Sequence, residues 1–176
     1  MRKLTMPELN RLNVNDYHSV KKIPIIIILD NVRSMENVGA FFRTADAFRI
    51  EAIYLCGITA RPPHREIHKT ALGAEESVDW RYFETTKEAC EVLKDNGYKI
   101  FAVEQVESSI KLEKFKTPEK SAYIFGNEVD GVDDTVLDFC EQAIEIPQQG
   151  TKHSLNVAVS GGIVMYHLFK DLRHFI

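Results

Sequence analysis

Polar residues that could do chemistry follow several apolar runs of this sequence. Each run reads as a buried strand, for example Ile25 to Leu29 and Ala122 to Phe125. In open α/β sheets, ligands bind outside the carboxyl ends of the strands, so the residues that follow the strands are candidates for a site. These candidates are Asn37, Arg43, Glu104, Gly126, Asn127, Glu128, Gln148, Ser154 and Asn156.

Common signatures of nucleotide-binding and hydrolytic enzymes are absent. The chain has neither a G-x-G-x-x-G pattern nor a P-loop, which mark dinucleotide and nucleoside triphosphate sites. Ser154 could in principle serve as a nucleophile, but no G-x-S-x-G elbow surrounds it. His153 is its direct neighbour in sequence, which is the wrong relation for a catalytic triad. A serine hydrolase is therefore disfavoured.

A short basic segment allows two interpretations. His64 and His68 have the i, i+4 spacing of a metal-ligand pair, but nearby Arg61, Arg65 and Lys69 would repel a cation. We therefore expect no metal. The three basic residues recur every four positions and predict one stripe on a helix, which would suit a phosphate backbone. An ordinary solvated helix face explains the same pattern equally well.

Apolar runs and helical periodicities alternate along the chain. This alternation predicts an α/β fold, with a mainly parallel sheet covered by helices on both faces. Asn37 is expected to cap the first long helix, whose apolar positions recur at three and four residues. The predicted strands are Ile25–Leu29, Ala52–Cys56, Trp80–Phe83, Lys99–Val103, Ala122–Phe125 and Ala143–Ile146.

The last helix is rich in small residues. Ser154 or Asn156 can cap it by accepting hydrogen bonds from its first free N–H groups. Gly161 and Gly162 each cost about 1 kcal/mol relative to alanine inside a helix. Such a pair indicates that a backbone or a ligand approaches closely, although tight packing on the sheet is an equally good explanation.

Composition bounds the class of protein. With 176 residues and 44% hydrophobic content, we expect one core-forming domain over residues 23–176, preceded by a polar arm with a short helix over residues 1–22. The net charge of −4 provides no global positive field, so a polyanion would need a local patch.

Cysteine usage and hydropathy indicate the compartment. Cys56, Cys90 and Cys140 fit neither a disulfide framework nor a zinc spacing, which favours a reducing environment. The start of the chain lacks the apolar core of a signal peptide, and the run from Ile23 to Leu29 is too short to cross a membrane. A cytoplasmic location is the expectation.

Three segments in order carry a specific resemblance to a known family. They run from Asn37 to Ala45, from Phe125 to Val132, and from Ile146 through Pro147 to the Ser154–Val157 segment. Together they resemble the SpoU–TrmH branch of the SPOUT superfamily, which are RNA 2′-O-ribose methyltransferases. The similarity extends over about residues 23–170.

The resemblance implies features that spacing alone does not reveal. The carboxyl-terminal part of such a domain is threaded into a deep trefoil knot, and S-adenosylmethionine is bound there. The family acts as a homodimer with its active site at the subunit interface. Mapped onto this chain, the cofactor-binding residues are Glu104, Gly126, Asn127, Ile146, Gln148, Ser154 and Leu155.

The catalytic assignment also follows from the resemblance. Arg43 would orient a substrate phosphate and stabilise the developing alkoxide, since a guanidinium with a pKa above about 12 is a poor general base. Asn37, Glu128 and Asn156 would fix the site by hydrogen bonds. Arg43 could instead form a salt bridge with a purely structural role. Glu128 could likewise only accept hydrogen bonds from the N–H groups of its loop. The basic residues expected to contact RNA are Arg33, Arg61, Arg65 and Lys69.

Two residues depart from the family pattern, and two other functions remain open. Arg49 stands where the family often has glycine, and Gln148 where an apolar residue is common. The short arm favours tRNA over rRNA as the substrate, with rRNA as the alternative. A non-catalytic RNA-binding dimer of the same fold is a second alternative, and an enzyme that uses another nucleotide is a third.

Overall fold

A single seven-stranded sheet forms the centre of the protein. The computed structural model describes all 176 residues, and every strand pairing in it is parallel. Strands β1 to β7 span Ile23–Asp30, Ile50–Cys56, Asp79–Phe83, Lys99–Val103, Ile110–Lys111, Ser121–Phe125 and Gln142–Glu145. Their order in the sheet is β3-β2-β1-β6-β4-β7-β5. The predicted parallel sheet is confirmed, and only the two-residue β5 has no predicted counterpart.

Seven α-helices connect or flank these strands. Helices α1 to α7 span Val14–Ser19, Met35–Ala47, Arg65–Ala71, Ala74–Ser77, Thr86–Asp95, Asp134–Leu137 and Val157–Leu172. Three short 3-10 helices cover Pro7–Leu9, Leu112–Lys114 and Arg173–Phe175. None of the helices combines the length and the apolar composition that crossing a bilayer requires.

Two apolar cores lie on opposite faces of the sheet, as the continuous apolar run of β1 predicts. Ile25 and Ile27 belong to the core beneath α2 and α7, where Phe42 and Leu168 are fully buried. Ile28 belongs to the core beneath α5 and α6. Because successive side chains point to opposite faces of a strand, both faces of β1 must be apolar.

Helix α2 begins earlier than the sequence predicts. The hydroxyl of Ser34, not the side chain of Asn37, caps it by accepting a hydrogen bond from the Asn37 N–H at 3.2 Å. Asn37 therefore lies in the first turn, and its carboxamide is free for other partners. At α7 the expectation holds for Asn156, whose Oδ1 accepts hydrogen bonds from the Ala158 and Val159 N–H groups.

Of the two adjacent glycines of α7, only one is required by close packing within the chain. A Cβ on Gly161 would lie 2.3 Å from the ring of Phe41, so α7 can approach α2 only without a side chain there. The neighbour is an aromatic side chain rather than a backbone or a ligand. A Cβ on Gly162 would meet nothing within 4 Å.

The departure at Arg49 has a conformational cost. Arg49 follows the end of α2 with a φ of 49°, in the left-handed region that glycine adopts without strain. This backbone conformation is consistent with the expectation that glycine is favoured at this position. The cost for a residue with a Cβ is roughly 1 kcal/mol.

We expect Arg49→Gly to raise the free energy of unfolding, because it relieves this strain, by up to about 1 kcal/mol. The measurement is urea unfolding, monitored by circular dichroism. Arg49→Ala is the matched control, since it removes the same charge and keeps the Cβ. Equal stability of the two variants would contradict the explanation.

Candidate functional site

A cavity of about 680 Å³ lies at the carboxyl ends of β4, β6 and β7. We call it the loop cavity, because the segments after these three strands and the start of α7 line it. All seven residues predicted to bind the cofactor are among its lining residues. They are Glu104, Gly126, Asn127, Ile146, Gln148, Ser154 and Leu155. Glu128 and Asn156 line it as well.

The loop after β6 folds back on itself at Gly126. A Cβ on Gly126 would lie 1.9 Å from the carbonyl carbon of Gly131, so no other residue fits at this position without moving the backbone. The backbones of Asn127 and Gly131 exchange two hydrogen bonds of 3.1 and 3.2 Å. The Asn127 Oδ1 also accepts hydrogen bonds from the N–H groups of Val129 and Asp130, both at 2.9 Å. The absence of a side chain at Gly126 therefore sets the shape of the loop.

Two side chains after β4 tie the cavity loops together. Glu104 accepts hydrogen bonds from the N–H of Val132 at 3.1 Å and from that of Gln105 at 2.8 Å. The Gln105 Nε2 donates to the carbonyl oxygen of His153 at 2.9 Å, which connects β4 to the segment before α7. Sequence reasoning missed Gln105, because a glutamine in a polar loop has no diagnostic spacing.

Glu128 holds the start of α2 by three hydrogen bonds. Its carboxylate accepts from the Arg33 N–H at 3.1 Å, from the Ser34 N–H at 3.3 Å and from the Asn37 Nδ2 at 2.7 Å. The Asn37 Oδ1 then accepts from the Asn156 Nδ2 at 3.1 Å. One chain of hydrogen bonds thus joins the loop after β6, helix α2 and helix α7.

The charge of Glu128 sets the direction of this chain of hydrogen bonds. Burial tends to raise the pKa of its carboxyl, but the hydrogen bonds from Arg33, Asn37 and Ser34 outweigh it and lower the pKa below its usual value. The carboxylate is therefore ionised at neutral pH and can only accept hydrogen bonds. Asn37 must direct its NH₂ group towards Glu128, so that its oxygen faces Asn156.

Arg43 lies outside the loop cavity of its own chain. It is exposed on α2, six positions after Asn37, which places it roughly 240° around the helix from that residue. It does not line the loop cavity and forms no hydrogen bond or ion pair within the chain. The salt bridge considered as its structural alternative is therefore not present. Asn37 does not line the cavity either, but it contacts Glu128 and Asn156 at its rim.

The charged residues that line the loop cavity are all acidic. No lysine or arginine is among the lining residues. A pyrophosphate group is normally bound by basic side chains or helix N–H groups, so this lining disfavours the dinucleotide alternative. A ligand with net positive charge fits it better. The acidic residues are Glu104, Glu128, Asp130, Asp134 and Glu145.

Three of the four predicted RNA contacts already have partners within the chain. Arg33 lies 3.6 Å from Asp130, and the Arg61 guanidinium lies 4.1 Å from the ring centroid of Tyr82. Lys69 pairs with a carboxylate one turn away at 2.8 Å. The predicted basic stripe is wrong at Arg61, because α3 begins at Arg65 and Arg61 precedes two prolines. No group of three or more potential ligands for a metal ion is present.

One face of α7 carries an apolar stripe that is not covered by the chain. Val159, Ile163 and Tyr166 follow helical spacing, with exposed fractions of 51%, 39% and 58%. Leu155, at the rim of the loop cavity, continues the stripe with 37% exposed. Gly162 lies next to this face. A stripe of this kind is typical of a surface that binds another protein or a second copy.

The fold is that of TrmH and SpoU enzymes. The crystal structure of an Aquifex aeolicus "TrmH/SpoU tRNA modifying enzyme" is similar, with a TM-score of 0.81 and 22% identity over 92% of this chain and 81% of that one. An AdoMet-bound rRNA methyltransferase from Sinorhizobium meliloti gives a TM-score of 0.79 and 23% identity, over 91% of this chain and 60% of that one. The trefoil knot is expected for this fold and stays a prediction here.

The chain belongs to the SpoU rRNA Methylase family, which it matches over residues 24–166. It is 29% identical to the 23S rRNA (guanosine-2′-O-)-methyltransferase RlmB of Neisseria meningitidis, over 89% of the chain and 62% of that protein. It is 28% identical to the tRNA (guanosine(18)-2′-O)-methyltransferase of Borreliella burgdorferi, over 85% of the chain and 67% of that protein. The chain therefore spans about two thirds of the length of these curated relatives.

We expect Glu128→Gln to destabilise the fold at pH 7 by about 1 kcal/mol, since a neutral amide is a weaker acceptor and turns a donor towards other donors. The lowered pKa of Glu128 means that its contribution is present above the unfolded-state pKa and is lost as the pH falls through the folded-state pKa. The difference in unfolding free energy between wild type and variant should therefore begin to shrink as the pH falls below about 4.3, the ordinary pKa of a glutamate.

Urea unfolding at pH 7, 5 and 3 measures this difference. Glu91→Gln is the control, because Glu91 is exposed and lies 3.9 Å from its single partner, Lys87. It should change stability by less than about 0.5 kcal/mol at every pH. A Glu128 effect that is as large at pH 3 as at pH 7 would contradict the assigned role of its charge.

Proposed function

We propose that this protein transfers a methyl group from S-adenosylmethionine to a ribose 2′-hydroxyl of structured RNA, with tRNA as the favoured substrate. The observation that carries the proposal is the loop cavity, because the seven residues assigned to the cofactor by family resemblance converge in it. The relatives named above act on guanosines of rRNA or tRNA. The alternative substrate, rRNA, is an outcome of the test below.

The loop cavity suits this cofactor in volume and in charge. S-adenosylmethionine carries a sulfonium, an ammonium and one carboxylate, so that its net charge is positive. An acid-lined cavity of about 680 Å³ is large enough for it and favours that charge. When bound, the cofactor supplies an electrophilic methyl group. Gly126 and the exchanged hydrogen bonds of its loop keep the cavity open, and Gln105 fixes the opposite wall through His153.

A homodimer explains how Arg43 reaches the site. In its own chain Arg43 lies outside the loop cavity, and the apolar stripe of α7 continues from the cavity rim. Because α2 packs against α7 within the chain, a second copy that covers the stripe of Leu155, Val159, Ile163 and Tyr166 with its own α7 would bring its α2 close to the rim. We therefore assign each active site to a loop cavity of one subunit and Arg43 of the other.

Arg43 would act by position and charge. Its guanidinium holds a phosphate next to the reacting ribose and stabilises negative charge that develops on the 2′-oxygen. The proton of the hydroxyl leaves to phosphate or water, because the guanidinium remains protonated. Glu128, Asn37 and Asn156 hold α2 and α7 in register, so that they position the groups on both sides of the interface.

The remaining assignments concern the compartment and the amino-terminal arm. Three free cysteines support a cytoplasmic location, and burial raises the pKa of Cys56 and of Cys90 to about 12.

Residues 1–22 are proposed as an arm on the catalytic domain of residues 23–176. It is packed on the domain by Tyr17, which is 5% exposed, and by a hydrogen bond between His18 and the Glu76 carbonyl.

We expect Gly126→Ala to abolish the binding of S-adenosylmethionine, because the new Cβ overlaps the Gly131 backbone and shifts the loop. Isothermal titration calorimetry measures the loss. Gly150→Ala is the matched control, since a Cβ there meets nothing within 4 Å. Unchanged affinity in the Gly126 variant would exclude the loop cavity as the cofactor site.

We expect Arg43→Ala to retain cofactor affinity and to lose at least about 100-fold in methyl transfer, as for the removal of a group that stabilises developing charge. The assay follows tritium from labelled cofactor into tRNA and rRNA purified from cells that lack the protein. Arg81→Ala, an exposed arginine on β3, is the control. If the wild type labels rRNA alone, rRNA is the substrate and tRNA is not. If the wild type binds RNA but transfers label to none, the protein is a non-catalytic RNA-binding dimer.

Mixing the two inactive variants tests the shared site. A mixed dimer of Arg43→Ala and Gly126→Ala subunits contains one intact pair of loop cavity and Arg43. Random exchange should therefore restore about a quarter of wild-type activity. If each site were built within one subunit, the mixture would stay inactive.

A further inference from the structure

A second cavity, of about 460 Å³, lies beside edge strand β3, away from the loop cavity. We call it the edge cavity; its lining includes Trp80, Pro62, Pro63, His64, Arg65 and His68. Trp80 is half-buried at the start of β3, and the other five residues belong to the segment that follows β2 and to α3. None of these residues takes part in the loop cavity.

The apolar part of the edge cavity consists of one planar aromatic side chain and two saturated proline rings. Trp80 contributes the indole, and Pro62 and Pro63 contribute two pyrrolidine rings. An unpaired nucleobase stacks on an aromatic ring such as the indole, which is worth about 1–3 kcal/mol per base and tolerates different bases. The volume is sufficient for one nucleotide.

Its polar part combines donors for an anion with two carboxylates, Glu75 and Glu76, of which Glu75 is paired with His68. Arg65 is exposed and forms no hydrogen bond or ion pair within the chain, in contrast to Arg33, Arg61 and Lys69. His64 accepts a hydrogen bond from the Glu66 N–H on its Nδ1 at 3.2 Å, so its neutral ring carries the hydrogen on Nε2. A free guanidinium and an N–H donor at one cavity are suited to a phosphate.

An imidazole held by a carboxylate completes the edge cavity. The Nδ1 of His68 lies 2.5 Å from the Glu75 carboxylate. Because a carboxylate accepts hydrogen bonds, Nδ1 is the donor, and Nε2 is left to bind a ligand, as an acceptor in the neutral ring and as a donor in the protonated one. Amino groups of bases and ribose hydroxyls are donors of the kind that such an atom binds. The aromatic ring, the anion donors and the imidazole of His68 together match the base, the phosphate and the hydroxyl groups of a nucleotide.

We propose that the edge cavity binds one unpaired nucleotide of the RNA substrate, with its base against Trp80 and its phosphate on Arg65 and His64. The proposal rests on the proposed function for the identity of the polymer. In the sheet, β3 and β6 are three strand spacings apart, about 14 Å. The edge cavity would therefore select RNAs that present a second, unpaired residue a few nucleotides from the methylated one.

Trp80 makes the edge cavity directly observable, because it is the single tryptophan of the chain. Titration with adenosine 5′-monophosphate should quench its fluorescence to saturation, and ribose 5-phosphate, which has no base, should not. An unstructured oligoadenylate should also quench it. Absence of quenching by both base-containing probes would overturn the proposal. Quenching by the mononucleotide but not by the oligonucleotide would overturn the assignment to RNA.

Two substitutions separate the contributions of phosphate and base. Arg65→Ala should weaken binding of adenosine monophosphate about tenfold or more and leave that of adenosine unchanged. Arg81→Ala is the matched control, since Arg81 follows Trp80 on β3 and points to the other face of the sheet. With labelled oligoadenylate, Trp80→Leu should lose about tenfold in affinity and Trp80→Phe should restore most of it. Equal effects of the two arginine variants would overturn the phosphate assignment.

This test is independent of methyl transfer. The titrations require neither cofactor nor an active site, and Gly126→Ala protein should respond as the wild type does. If methyl transfer is absent and Trp80 is still quenched with these dependences, the proposed function fails and the edge cavity remains a nucleotide site.

Discussion

The hydrogen-bonded chain from Glu128 through Asn37 to Asn156 is the constraint on which the site depends. It joins the loop after β6, the first turn of α2 and the first turn of α7. The charge of Glu128 fixes the orientation of both carboxamides, and Asn156 at the same time caps α7. A change at any one of the three residues is therefore transmitted to two helices and to the loop cavity. None of the three needs to touch a reacting atom to matter for activity.

In the function that we propose, the loop cavity and Arg43 would divide the chemistry between two kinds of surface. The loop cavity is acidic and is shaped by backbone, with Gly126 as the position where a side chain cannot fit. Arg43 is a cation on an exposed helix surface without partners. A cationic methyl donor is attracted by a negative potential and an anionic RNA backbone by a positive one. Two separate surfaces can provide both potentials, which a single pocket could not. The net charge of the whole chain, −4, does not reveal this local separation of acidic and basic surfaces.

The sheet could be predicted from sequence because its central strand is a continuous apolar run, which is typical of burial on both faces. β5 could not, since two residues that pair only with β7 leave no pattern. The cap of α2 was wrongly predicted because Ser34 and Asn37 are both good capping residues, and only tertiary contacts with Glu128 decide between them. The residues of the loop cavity were predicted only through the family resemblance. The separation of Arg43 from Asn37, by contrast, follows from helix geometry alone, because six positions place them on different faces of α2.

The long sequence separation within the site has a consequence for synthesis. Glu104, Glu128 and Asn156 come from successive parts of the chain, so the cap of α7 leaves the ribosome after the groups that it joins. Amino-terminal segments can begin to fold during translation, but Asn37 has no amide partner until residue 156 has emerged. The proposed cofactor site would thus be complete only after residue 156 has emerged. An incomplete nascent protein would not sequester the methyl donor.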